Sequence, residues 1–395
     1  MHRKRKMKKT ILKIFLLIIF IGLFSIYFIS NDSINNIEKR ENNEPKKKEY
    51  KKIYNKNDIF YKYYSKADKI LDKMSIEEKI GQLFLVRYNK NDTTYLSNFY
   101  PGGYILFAKD FENHTKESIK EELDVLQKMN KYKLIIGVDE EGGFVTRVSR
   151  YKNFREEKFL SPKFYYEKGG YELLKETEKE KATLLKSIGI NLNLAPVADI
   201  STDENDFIYN RAFGYDEIKT SEFINNMVTY ANENEINSCL KHFPGYGNNK
   251  DTHTGIAIDN REYKNFLEKD YLPFIAGIKA KVPSILISHN IINCLDSTKP
   301  ASLSKKVISE LRGKLNFTGI IITDDLAMDA VKEYVENNQA ATLAIEAGND
   351  MIITSDFITM YKELLNSVNN KILTEETINQ AVRRVLAWKY YTKLL

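Results

Sequence analysis

Three short segments of the chain hold most of the side chains able to do chemistry. In KHFPGYGNNKDTHTG, residues 241–255, a basic pair leads through Pro244, Gly245 and Gly247 into a polar loop that presents Asp251 and His253 two positions apart. A carboxylate beside an imidazole fixes its tautomer and stabilises its protonated form, which suits a proton shuttle near neutral pH. An incidental Asp-x-His on a surface loop is the plain alternative, but two of the chain's five histidines fall in this segment. No further His or Cys stands nearby at ligand spacing, which disfavours a zinc site. In GIIITDDLAMDA, residues 319–330, an apolar run ends in Asp324 and Asp325. A carboxylate there can be a nucleophile, a metal ligand or the N-cap of the next helix, and period alone does not choose between the two aspartates. In GVDEEGGFVTRV, residues 137–148, Asp139 is followed closely by Arg147. Such a pair at a pocket grips sugar hydroxyls, although a structural ion pair explains it equally well.

These segments need a scaffold that brings them together. Eight apolar runs recur along the chain: 82–86, 102–107, 134–139, 191–199, 238–243, 284–290, 319–325 and 350–355. Helix-like stretches lie between them, among them 116–129, 172–188, 221–235, 262–280 and 336–347. Strands covered on both faces lose the alternating pattern, so continuous apolar runs interleaved with helices predict a parallel sheet. Eight units predict an α/β fold with a single (β/α)8 TIM-type barrel, with an open doubly wound sheet as the alternative. Polar residues close run after run: Asp139, Asp199, Lys241 with His242, His289 with Asn290, and Asp324 with Asp325. In a barrel these ends converge on one mouth. The 40 residues after Ser355 leave room for terminal helices and not for a second full domain.

The 395 residues are 43% hydrophobic, enough for a large core, and the two cysteines, Cys239 and Cys294, exclude a disulfide scaffold. The formal charge of +6 is unevenly placed: residues 1–52 carry +9 and the remainder −3. A slightly acidic folded part argues against a nucleic-acid partner. The basic start, residues 1–10, precedes the apolar run 11–30, whose single charge is Lys13. Twenty helical residues span about 30 Å, the thickness of a bilayer's hydrocarbon core. The charge asymmetry predicts a single-pass anchor with its N-terminus in the cytoplasm, an extracellular stalk over 31–64 and an extracellular barrel over 65–395. A cleaved signal peptide would need a shorter apolar core and a small-residue cleavage site, yet no alanine occurs before Ala67.

The segments GVDEEGGFVTRV, NLNLAPVADI, NRAFG (210–214), KHFPGYG with DTH, and IITDDLAM occur in the order seen in glycoside hydrolase family 3. Over roughly residues 66–355 the chain resembles that family's β-N-acetylglucosaminidase branch. The resemblance implies a retaining mechanism on a TIM barrel without metal or cofactor. It implies that Asp324 is the nucleophile, that His253 is the acid–base catalyst tuned by Asp251, and that Asp139, Arg147, Arg211, Lys241 and His242 bind N-acetylglucosamine. The substrates implied are β-linked N-acetylglucosamine saccharides such as peptidoglycan fragments, and the chain is expected to be a monomer. The family's acid–base loop usually reads GHG, with its triplet one residue further on; here Tyr246 replaces the histidine and Thr252 stands inside the triplet. A histidine acid does not repel phosphate as a carboxylate would, so phosphorolysis is the runner-up, followed by a catalytically silent wall-binding barrel.

Overall fold

A computed structural model describes residues 55–249, 255, 257–335 and 339–395. The proposed anchor at 11–30 and the loop residues Asp251 and His253 lie outside the described residues. Among the described residues no helix is long and apolar enough to cross a membrane.

All eight expected runs form strands of one closed parallel barrel. They are β1 (Phe84–Arg87), β2 (Gly103–Leu106), β3 (Ile135–Val138), β4 (Leu192–Asn193), β5 (Asn237–Phe243), β7 (Ser284–Ile287), β9 (Ile320–Asp325) and β10 (Met351–Thr354). Around the barrel they run β1-β10-β9-β7-β5-β4-β3-β2. A small parallel pair, β6 (Ile258–Asp259) with β8 (Ile291–Ile292), sits outside it. The main helices are α1 (Tyr64–Leu71), α2 (Ile76–Gly81), α3 (Lys116–Met129), α4 (Pro162–Ser187), α5 (Glu217–Glu233), α6 (Tyr271–Lys279), α7 (Ala340–Ala347), α8 (Phe357–Asn369) and α9 (Glu375–Tyr391). The helix expected from residue 172 starts ten residues earlier, at the Ser161 cap and Pro162. Its axis breaks at Gly169–Gly170, where Gly170 takes φ 62°, a conformation other residues avoid.

Alternate strand residues divide between two apolar cores. Leu240, Ile285, Ile287 and Ile321 pack with Ile224 of α5 and Phe274 of α6, on the outer face. Cys239, Leu286, Ile320 and Ile322 belong to the other core. The alternation stops short of the site: β5 shifts register against β7 after Leu240, and β9 shifts against β10 between Thr323 and Asp325.

Residues 55–64 and the last helix pack against the amino-terminal ends of the barrel strands. Residues 55–64, assigned to the stalk from composition, belong instead to the folded body. Phe60 is fully buried, and the Ile59 amide donates to Thr318 Oγ1 at 3.0 Å. On α9, Trp388 Nε1 donates to Asn237 Oδ1 at 3.3 Å and Lys389 Nζ donates to Gln82 Oε1 at 2.6 Å. Lys389 is fully buried, and burial pulls its ammonium down to about 7. Between pH 7 and the ordinary lysine range the unfolded chain then binds a proton that the folded chain does not, so stability rises with pH across that window. Lys389→Met is expected to abolish this rise, read as melting temperature against pH for both proteins. Parallel profiles for the two would refute the assignment.

Candidate active site

The mouth of the barrel is organised around an ion cluster that β3, β4 and β5 bring together. Lys241, on β5 and buried, donates to Asp139 Oδ1 at 2.7 Å and pairs with Glu141 Oε1 at 2.6 Å. Arg211, on the loop after β4, grips Glu141 with two bonds: Nε to Oε2 at 3.1 Å and Nη2 to Oε1 at 2.8 Å. Burial alone would raise the Glu141 carboxyl, but Lys241 and Arg211 hold it well below the usual carboxylate range. Burial likewise opposes the charge on Lys241, and Asp139 with Glu141 outweighs it, raising the ammonium above its ordinary value. The cluster is therefore ionised and rigid, with donors and acceptors fixed before any ligand arrives.

Arg147 lies against Asp139, Nη2 to Oδ2 at 3.4 Å, and stacks over the Phe107 ring at 4.9 Å. Its Nε is buried without a protein partner, a donor positioned for a ligand hydroxyl. The turn carrying Arg147 is held by Glu140, whose carboxylate accepts the amides of Arg147 and Val148, both at 2.7 Å.

Asp199, at the end of the β4 run, organises the other half of the mouth. Its Oδ2 accepts from His242 Nδ1 at 2.7 Å and from the His242 amide at 3.1 Å, while Oδ1 accepts the Tyr246 amide at 2.7 Å. Arg211 Nη2 stands 3.2 Å from His242 Nε2. A guanidinium only donates, so Nε2 accepts and the ring hydrogen sits on Nδ1, toward Asp199. A register shift between Leu240 and Phe243 in the β5–β7 pairing allows consecutive residues, Lys241 and His242, both to serve the site.

The two aspartates of β9 have different tasks. Asp325 Oδ1 accepts the amides of Ala327 at 2.9 Å and Ser355 at 3.2 Å, which ties β9 to the loop after β10. Burial raises its carboxyl and these backbone donors offset part of the rise. Asp324 lies within electrostatic reach of the buried Cys239. The buried Cys239 thiol below, pushed up to about 12 by burial, feels the charges of Lys241, Asp139 and Asp324 together. His289, expected at the mouth, donates through Nε2 to the Asp325 carbonyl at 3.1 Å and takes Ser302 Oγ at 2.8 Å on Nδ1. It thus supports the aspartate turn. Cys294 is exposed and both cysteines are free thiols.

The polar loop that carries Asp251 and His253 is clamped at its two described ends by Arg261. That guanidinium binds Asp259 at 2.7 Å, both oxygens of Asp270 at 3.0 Å and the Gly245 carbonyl at 3.2 Å. Asn249 adds bonds of 2.8 Å to Asp259 and to the Tyr246 carbonyl. Tyr246, where the resemblance leads one to expect histidine, packs its ring between His242 at 5.5 Å and Phe207 at 5.7 Å.

Five of the eight residues singled out from sequence, Asp139, Arg147, Arg211, Lys241 and His242, thus form one connected cluster, and the charge of Asp324 reaches the same buried Cys239 as those of Lys241 and Asp139. Sequence reading missed Glu141, Glu140 and the role of Asp199. The acidic pair before Gly142 was a visible signal for the first two.

A closed parallel barrel with a buried ion cluster at the carboxyl ends of its strands has the architecture of an enzyme. Residues 75–388 match the glycosyl hydrolase family 3 N-terminal domain, and the chain belongs to that family. It is 30% identical to the beta-hexosaminidase of Hydrogenovibrio crunogenus over 276 residues, covering 67% of this chain and 75% of that protein. Among solved structures, a family 3 beta-N-acetylglucosaminidase from a Paenibacillus species superposes with a TM-score of 0.76 at 25% identity, over 81% of this chain and 63% of that one. The beta-N-acetylhexosaminidase of Beutenbergia cavernae does so with a TM-score of 0.69 at 25% identity, over 80% and 99%.

Proposed function

We propose that this enzyme is a retaining exo-β-N-acetylglucosaminidase that removes terminal β-linked N-acetylglucosamine from peptidoglycan fragments. The observation that carries the reading is the Lys241–Asp139–Glu141–Arg211 cluster at the mouth of the barrel. In this reading Asp139, Arg147, Arg211, Lys241 and His242 take the hydroxyls of the sugar. The Asp324 carboxylate attacks the anomeric carbon, and His253 gives its proton to the departing oxygen. His253 then takes a proton from water, whose oxygen displaces Asp324 with net retention. The activities of these relatives support the choice of sugar.

We place the barrel outside the cell, held as a monomer by residues 11–30, on the basic start and the apolar run. One preparation tests both parts. The full chain extracted from membranes is expected to keep its N-terminal mass and to release N-acetylglucosamine from muropeptides at a rate independent of phosphate. A mature chain beginning after residue 30 would overturn the anchor. Release of the sugar 1-phosphate, requiring phosphate, would replace hydrolysis by phosphorolysis, and binding without turnover would leave only a wall-binding barrel.

A further inference from the structure

Resting on the reading above, we propose that His289 is a positioning residue for the nucleophile: from the end of β7 it holds the backbone of Asp325, whose amide fixes the carboxylate of Asp324. The need for such a support lies in the sheet. On the β10 side, β9 pairs Thr323 with Ile352 and Asp325 with Ile353, so Asp324 is the extra residue of a bulge. A bulge re-aims a side chain and interrupts the ladder that would hold it. On the β7 side the pairing ends at Ile287 with Thr323. The next amide of that segment, Ser288, turns to the Phe243 carbonyl at 3.0 Å. Asp324 and Asp325 thus extend β9 past its last ladder contact with β7.

The His289 side chain takes the place of the missing ladder bond. The ring is fully buried, and its Nε2 donates to the Asp325 carbonyl at 3.1 Å. A carbonyl only accepts, so Nε2 carries a hydrogen, and in the neutral ring Nδ1 accepts from the Ser302 hydroxyl at 2.8 Å. Ser302 is itself buried and tied at both backbone groups. Its amide donates to the Ser288 carbonyl at 3.0 Å, and its carbonyl accepts from Asn349 Nδ2 at 2.8 Å. Position and tautomer of the ring are therefore set by the fold.

Asp325 transmits that position to its neighbour. Its side chain accepts the amides of Ala327 and Ser355, its carbonyl accepts from His289, and its own amide donates to Asp324 Oδ1 at 2.8 Å. A bond to one carboxylate oxygen sets the rotation of the whole group, and attack on an anomeric carbon depends on that angle. Loss of the His289 bond removes the link from β7 and leaves the side-chain anchors of Asp325 in place.

Two substitutions in the full chain separate positioning from packing. The amide of His289→Gln reaches the place of Nε2, whereas that of His289→Asn reaches only the place of Nδ1 and leaves the Asp325 carbonyl without its donor. The readout is covalent labelling of Asp324 by an activated 2-fluoro sugar, resolved by concentration into a binding part and a bond-forming part. His289→Asn is expected to slow bond formation by about ten- to a hundredfold with the affinity for N-acetylglucosamine changed by less than about twofold, and His289→Gln to stay within about threefold of the wild type. Equal rates in the two variants, or a loss of sugar affinity that matches the loss of rate, overturns the proposal. Ser302→Ala removes only the hydroxyl that sets the tautomer and is expected to slow labelling by about three- to tenfold. It decides the matter should His289→Asn fail to fold, and an unchanged rate in it overturns the positioning role. A wild-type chain that takes its label elsewhere than on Asp324, or cleaves no N-acetylglucosaminide, overturns the proposed function and the positioning role with it.

Discussion

Asp324→Ala is expected to lose activity by several orders of magnitude on every N-acetylglucosaminide, whatever the leaving group, because no covalent intermediate forms without the nucleophile. The structure sharpens this by separating the two neighbouring aspartates. Asp325 spends Oδ1 on the amides of Ala327 and Ser355, so its loss loosens the turn and the loop after β10. Asp325→Ala should therefore lower melting temperature together with rate, whereas Asp324→Ala should stay folded and still bind the sugar. An activated 2-fluoro sugar that traps the intermediate gives an independent readout by peptide mass. Label on Asp324 supports the assignment. Label on Asp325, or an Asp324→Ala variant that still turns over, would sink it.

The barrel was legible because each strand is covered on both faces and so reads as an unbroken apolar run, which holds even for the two-residue β4 within NLNLAPVAD. The site was legible where a residue stands at a strand's end, as Lys241 does. It was less so where a residue acts only through a partner. Glu141 has no chemistry of its own in the sequence; its place between Lys241 and Arg211 exists only after β3, β4 and β5 are side by side. Asp199 was visible as a strand-end carboxylate, but its hold on both His242 and Tyr246 depends on how β5 leaves the barrel. Composition also misplaced residues 55–64, whose polar character hides Phe60 and Tyr64, two rings buried by docking. Two buried side chains in a short polar stretch leave too little periodicity to read.

The second large effect concerns His253. A proton donor matters in proportion to how badly the leaving group needs its proton. His253→Ala should slow the cleavage of a sugar leaving group far more than that of a nitrophenolate, which departs unassisted. With the activated substrate the first step then outruns the second, since water still needs a base, and glycosyl-enzyme should accumulate on Asp324. Azide needs no deprotonation and should restore turnover, giving the β-glycosyl azide as product. Asp251→Asn should move the same quantities in the same direction and to a smaller extent, because it removes the group that tunes the imidazole and leaves the imidazole in place. Arg261, which ties Gly245 on one side of the loop to Asp259 and Asp270 on the other, offers a separate control. Arg261→Ala should reduce activity without any azide rescue, because it disturbs where the loop sits and removes no proton carrier. If His253→Ala slowed natural and activated substrates equally, with no trapped intermediate and no response to azide, the acid–base role would belong to another residue of the mouth.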